Sequence, residues 1–397
     1  MNKKNYMEII NDKVENLYPE FIEIRRYLHE NPELSKKEYN TQKYILKILD
    51  KFKVDIDDRV RGTGICAVIK GQLPGKTIAF RADMDALKIS EETGLSFSSK
   101  NKNVMHACGH DSHMTILLGT IMVLNEFKDK LKGNVKFIFQ PAEESTGGAK
   151  EMIEDGVLNS PRVDLILAGH IWPELETGTI GIKKGPIMSS PYIFEIKITG
   201  KGCHAGKPDM VIDPILIGSE IITAIENKIL RPSNPFEPIV ITSCSINSGN
   251  SYNIVPDTCT IKGTVRTFHE KNRLYVEKKM RNLINSIANL SGAKANFKYE
   301  RRFPPTINNP DVIDFVNKSS SEIIGSSNVI DIKYPSMSSE DFSYFLNEVP
   351  GAYIFIGTRN EKENLIYDLH NPKFTIDENS LKIGVKVFTK AAIDFLL

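Results

Sequence analysis

Near the amino terminus, apolar side chains recur every three or four residues: Ile9, Ile10, Val14, Leu17, Phe21 and Leu28. That spacing predicts helix from about residue 5 to 52, with one face turned to a core. Asn31-Pro32 interrupts the pattern, because proline lacks the amide a helix needs, and Thr41 to Leu49 resumes it. Short apolar runs then alternate with helical ones. Gly64 to Lys70 and Thr77 to Arg81 read as strands; Val135 to Gln140 and Asp164 to Ala168 read as strands buried on both faces. Met114 to Leu131 reads as a helix, with Asp111 or Ser112 as its N-cap. This alternation predicts an α/β domain with helices flanking a sheet.

The pattern changes near Pro191. In IFEIKIT (193–199), Phe194, Ile196 and Ile198 alternate with Glu195, Lys197 and Thr199, as in a half-exposed strand. Asp213-Pro214 opens a helix that continues from Ile215 to Leu230. Ile239 to Ser243 and Thr258 to Phe268 read as strands, Leu274 to Leu290 as a helix ended by Gly292, and Ala295 to Arg301 as a last strand. The order β-α-β-β-α-β is that of a ferredoxin-like unit. It predicts an inserted α+β domain at 189–302, between two parts of an α/β domain at 1–188 and 303–397. In the second part, Asp311 to Ile324 reads as helix, Ala352 to Gly357 as strand and Ser380 to Leu397 as a closing helix. A chain of 397 residues is long enough for two cores.

Composition narrows the function. Lys plus Arg (51) nearly balance Asp plus Glu (50), which argues against nucleic acid as the partner, since phosphate binding wants a basic excess. No apolar stretch approaches the roughly 18 residues of a membrane span. The first twenty residues hold no uninterrupted apolar run of signal-peptide type. The five cysteines (66, 108, 203, 244, 259) are odd in number and widely spaced, as expected in a reducing compartment. A cytoplasmic protein that binds neither membrane nor nucleic acid is expected.

The chemistry is concentrated in MHACGHDSHM, Met105 to Met114, which holds three of the chain's eight histidines with a cysteine and an aspartate. Imidazole, thiolate and carboxylate are transition-metal ligands. On an extended backbone Cys108 and His110 would face one side, within reach of one ion. Other candidates follow predicted strands: Asp83-Met84-Asp85 after TIAFR, Glu143-Glu144 after VKFIFQ, His170 after DLILAG, and His370 in YDLHNP. Ligand sites of open α/β sheets lie beyond the carboxyl ends of the strands, so these groups are expected to converge. Glu143 and Glu144 at the end of a buried strand call for a partner, and a metal ion is one.

With these residues in view the chain resembles the M20 metallopeptidase clan, in particular its amidohydrolase branch. The resemblance rests on RADMDAL (81–87), MHACGHDSHM (105–114), QPAEE (140–144), GHIW (169–172), GKGCHAGKP (200–208), YNIVPD (252–257), SSEDFSYF (338–345) and LHNPKF (369–374), in order over nearly the whole chain. RRYLHENPELS (25–35) also resembles the branch's first helix. The branch includes N-acyl-amino-acid amidohydrolases, hippurate hydrolases and N-acetyldiaminopimelate deacetylases.

The resemblance implies a zinc-peptidase-like α/β catalytic domain with an inserted ferredoxin-like lid that mediates homodimerisation. It implies two divalent ions per subunit, manganese or zinc with cobalt or nickel as further candidates, on Cys108, His110, Glu144, His170 and His370. Glu143 matches the general base and Asp85 the aspartate that orients a group near the metals. His204 and Asn253 match groups of the inserted domain that reach the substrate, an N-acyl amino acid. Arg266, in GTVRTF, is the candidate for binding the substrate carboxylate. Lys88, Asp209 and Ser338 depart from the branch's usual pattern without removing a ligand. Two other activities are compatible with these motifs: a dipeptidase of the same clan, and a hydrolase with Cys108 as nucleophile. A dinucleotide enzyme is a weaker reading, since no GxGxxG follows a predicted strand.

Overall fold

A computed structural model describes residues 3–52, 54–145 and 147–397. The chain forms two compact units. One comprises Met1–Ile187, Ile307–Tyr334 and Asp341–Leu397; the other comprises Met188–Thr306 and Pro335–Glu340.

In the first unit, eight strands among the described residues pair into one sheet. Their order is Asp55–Ile56, Ile65–Lys70, Lys132–Gln140, Leu73–Asp83, Leu165–Glu176, Gly351–Arg359, Ile180–Ile182, Val329–Asp331. The four central strands, from Lys132–Gln140 to Gly351–Arg359, run parallel. Their apolar runs are buried on both faces, as crossover connections require. The parallel register sets Asp83 beside Gln140, Arg81 beside Ala168, and Phe355 beside His170. Three strands therefore bring their polar residues to one level.

The helix His110–Leu124 packs on the Leu73–Asp83 strand and is covered outside by the helices Lys3–Glu30 and Asn379–Leu396. Every one of its residues is buried, so it carries no polar face. Gly119 is what allows the approach, because a Cβ there would stand 2.7 Å from Val385 and 3.0 Å from Phe21. Ile10, Val14, Phe21 and Leu28 of the first helix are buried, while Ile9 and Leu17 are partly so. No helix among the described residues is long and apolar enough to cross a membrane.

Several boundaries differ from the pattern. The helix expected at Met114 begins at His110, and neither Asp111 nor Ser112 caps it; Gly109 is the N-cap. Asp111 is instead taken up in side-chain pairs, described below. Its α-form ends at Leu124, followed by a 3-10 segment, Asn125–Lys130. The strand expected to stop at Ala168 runs on to Glu176, so His170 lies inside it. Pairing with Leu73–Asp83 ends at Arg81↔Ala168, which leaves His170 without a strand neighbour on that flank.

The second unit has the order Ser190–Thr199, Pro214–Ile225, Val240–Ser248, Thr258–Thr267, Glu270–Leu290, Lys294–Arg301, interrupted by short ribbons. Its antiparallel sheet has Val240–Ser248 at one edge, then Thr258–Thr267, Ser190–Thr199 and Lys294–Arg301. This is a ferredoxin-like arrangement. Phe194, Ile196 and Ile198 are fully buried in its core. Asp213 caps the first helix, accepting the Ile215 amide at 2.8 Å. The unit reaches beyond 302 and also includes 335–340, because Ser189 and Arg266 both bond the carbonyl of Met337. Phe194 packs where Gly263 leaves room, since a Cβ at 263 would stand 2.4 Å from its ring. Phe194→Ala should therefore destabilise this unit by about 3–5 kcal/mol in urea unfolding. A loss below about 1 kcal/mol would mean that the core is not built on that ring.

Candidate metal centre

Cys108 and His110 do not lie on extended backbone. Cys108 sits in a turn and His110 opens the helix, so the shared-face argument fails although both side chains reach the same place. The turn depends on Gly109, whose φ is +80° and whose absent Cβ would stand 2.1 Å from Ile171. His370, far away in sequence, is tied to the same turn by its own amide, which donates to the Ala107 carbonyl at 2.8 Å. Its φ of +65° is one that a non-glycine residue rarely adopts.

Around this turn the donor atoms converge. The Cys108 Sγ is 3.3 Å from Nε2 of His170 and 3.3 Å from Nε2 of His370. Glu144 Oε1 is 3.4 Å from His370 Nε2 and 3.8 Å from His110 Nε2. Two sets share the cysteine: Cys108, His110 and His170, and Cys108, Glu144 and His370, each with its ligand atoms within 4.8 Å of one another. Glu143 joins His110 and Glu144 in a third such set. His110 pairs Nδ1 with the Asp85 carbonyl at 2.7 Å, and His170 pairs Nδ1 with the Ile171 carbonyl at 2.6 Å. A carbonyl can only accept, so both rings carry the proton on Nδ1 and turn Nε2 inward, the arrangement of metal-binding histidines.

These residues fit a metal. His110 Nε2 and Glu144 Oε1 are buried atoms without a hydrogen-bond partner among the described residues. Orphaned donors and acceptors of this kind are costly unless something else meets them. Burial pushes the Cys108 thiol well above its ordinary range, and the carboxylates of Glu144, Glu143 and Asp83 push it further. Burial opposes a charge on His110, yet Asp83, Asp85 and Glu144 outweigh it and raise the ring to about 10. Burial and His113 hold His170 well below its usual value.

The surrounding residues orient this set. The Asp85 carboxylate accepts the amides of Glu143 and Glu144, both at 3.0 Å, and the Ser35 hydroxyl at 2.6 Å. It therefore acts on the glutamates through their backbone. His113 pairs Nδ1 with Asp83 at 2.6 Å and accepts the Ile171 amide on Nε2 at 2.9 Å, so both its nitrogens are occupied. Asp111 accepts Arg25 at 3.0 Å and pairs with His29 at 2.9 Å. His106 is buried with neither nitrogen bonded among the described residues, and burial lowers it to about 4. Arg81 joins Asp83 at 2.7 Å and Asp341 at 2.9 Å, and Gln140 also donates to Asp341. Sequence reasoning passed over Arg81, Gln140 and Asp341. The available signal was an arginine and a glutamine inside otherwise apolar strands, where a polar side chain needs a buried partner.

The remaining candidates belong to the second unit. His204 is exposed on one strand of a short ribbon and Asn253 is exposed in the turn that leads into the other, Ile254–Val255; Ile254 pairs with His204 and the Ala205 amide donates to the Asn253 carbonyl at 3.0 Å. Arg266 is half-buried on the central sheet and donates to the Met337 carbonyl at 2.8 Å; burial lowers its pKa.

The four parallel central strands thus carry a cluster that fits a divalent metal ion. Residues 79–394 match Peptidase family M20/M25/M40, and the chain belongs to that family. Thermostable carboxypeptidase 1 of Saccharolobus solfataricus is 43% identical over 393 residues, 98% of either chain. N-acetyl-L-cysteine deacetylase of Bacillus subtilis is 40% identical, over 92% of this chain and 85% of that one. A dinuclear metal binding peptidase of the M20 family from Bacillus subtilis, a solved structure, aligns with a TM-score of 0.84 at 37% identity. That alignment covers 96% of this chain and 99% of the other.

Metal uptake should displace protons from Cys108 and His110. At neutral pH about two protons should leave when the set of Cys108, His110 and His170 is filled, and apparent affinity there should rise about 100-fold per pH unit. Calorimetric titration in buffers of different ionisation heat counts them, and release of none would contradict this assignment.

Proposed function

We propose that the protein is a metal-dependent amidohydrolase that cleaves the amide of N-acyl amino acids, releasing a carboxylate and a free amino acid. The observation that carries this reading is the meeting of Cys108, His110, Glu144, His170 and His370 with Glu143 beside them. These five residues are assigned as ligands of two divalent ions, the two sets sharing Cys108. Thiolate and imidazole suit zinc, cobalt or nickel; the carboxylate and the habit of the family also admit manganese.

Water and an amide are poorly matched at neutral pH. Bound divalent cations supply the positive charge that makes water acidic near neutrality and polarises the carbonyl. Glu143 takes the proton of the attacking water and returns it to the leaving amine. Asp85 keeps that carboxylate aimed, through the amides of Glu143 and Glu144. His204, Asn253 and Arg266 are assigned to substrate binding, with Arg266 taking the amino-acid carboxylate.

The relatives' names support this reading from two sides. A deacetylase of N-acetylcysteine and a carboxypeptidase both release an amino acid from an amide. The carboxypeptidase relative, at 43% identity, is the reason to keep an exopeptidase as the second reading. A cysteine nucleophile fits poorly, because the Cys108 thiol is pushed up and His170, beside it, is pushed down. We further assign the protein to the cytoplasm, in keeping with five free cysteines. A homodimer through the second unit is assigned as well. Exposed Val240 and Ile246 on its edge strand, with Ile215 and Leu216 on its first helix, support that pairing.

Glu143→Gln should keep its metal content while turnover falls by about 10²–10⁴-fold; near-normal turnover would remove Glu143 from the mechanism. Hydrolysis of N-acetyl amino acids, hippurate and dipeptides with added manganese or zinc separates the two readings. EDTA should abolish activity. Survival in EDTA with loss in iodoacetamide would restore the thiol mechanism.

A further inference from the structure

The backbone that carries Glu143 and Glu144 is held at three successive amides by two carboxylates. Asp85 takes the amides of Glu143 and Glu144, one on each oxygen. The third, the Ala142 amide, donates to Glu38 Oε1 at 3.0 Å. Ala142 has φ +57°, a conformation that a residue with a Cβ rarely adopts, so the turn needs an outside hold at that point. Its carbonyl is engaged as well, accepting the amides of Gly147 and Gly148.

Glu38 is itself fixed on all sides. It is fully buried, its Oε1 also accepts the Lys36 amide at 3.0 Å, and its Oε2 accepts the Thr63 hydroxyl at 2.6 Å. Three residues earlier, Ser35 donates to Asp85 at 2.6 Å. The Glu33 carbonyl takes the Ala86 amide at 2.8 Å. One short segment, 33–38, thus braces both carboxylates that aim the glutamate pair. Burial raises the pKa of Glu38, a cost of placing a carboxyl group here that its donors offset only in part.

We propose that Glu38 is a positioning residue for the general base: its Oε1 holds the Ala142 amide, and through it the direction of the Glu143 carboxylate. This rests on Glu143 being the base. The group acts as an acceptor, so an amide oxygen in its place serves equally. A shift of about 1 Å in a catalytic group is worth about 100-fold in rate, which sets the scale of the effect.

The test uses the full chain with manganese and again after EDTA. Glu38→Ala should lower kcat about 10- to 100-fold with KM for an N-acetyl amino acid changed less than about threefold. Amide hydrogen exchange in the peptide holding 142–144 should quicken about tenfold or more, with the His110–Leu124 helix unchanged. Glu38→Gln should restore both to within about threefold of the parent. Unchanged exchange and kcat in Glu38→Ala, or a Glu38→Gln as impaired as the alanine variant, would overturn the proposal. Should Glu38→Ala not fold, Thr63→Val, which frees Oε2, must show the same two changes in smaller degree, and its failure to do so counts equally against it. If the parent hydrolyses none of the substrates, the proposed function fails, while the exchange data still decide the role of Glu38.

Discussion

Buried negative charge is the constraint around which the first unit is arranged. Asp83, Asp85, Glu143 and Asp341 all lie out of water within one region of the sheet. Carboxylates in such a place must be paired or hydrogen-bonded. Arg81 answers Asp83 and Asp341, His113 answers Asp83, and backbone amides with Ser35 answer Asp85. What this leaves facing inward is a set of donor atoms, with His110 Nε2 and Glu144 Oε1 making no hydrogen bond among the described residues. The pairing that keeps the interior tolerable is also what shapes a cation site.

Packing makes that arrangement rigid. The His110–Leu124 helix is buried on every side, so its first residue cannot shift without moving a core layer. The Gly109 turn is closed against Ile171, whose carbonyl accepts from His170 and whose amide donates to His113. His370 is pinned to Ala107 by its backbone rather than by its side chain. Each candidate ligand is thus set by an element whose position is decided elsewhere, which is the preorganisation a metal site needs.

Much of this was legible from periodicity. Alternation of apolar runs announced the sheet and its helices, and Phe194, Ile196 and Ile198 announced the second unit's strand. Asp213-Pro214 announced a helix start, and Asp213 caps it. Local pattern failed where tertiary contacts overrode it. Asp111 has the chemistry of an N-cap but is drawn away by Arg25 and His29, more than eighty residues upstream. The Leu165–Glu176 strand outruns its apolar core because Gly351–Arg359 pairs along most of it, with Trp172 stacked on Phe355 at 4.0 Å.

The residue types alone determined which chemistry was available. Cysteine, histidine and paired glutamates after apolar strands point to a metal, and the order of motifs points to one family. Which atoms face one another was not in that information. Ring tautomers follow from single carbonyls such as those of Asp85 and Ile171, and the Glu143–Glu144 turn follows from amides held across the fold. Distances of this kind depend on where whole strands and helices come to rest, and that is settled by packing among residues distant in the chain.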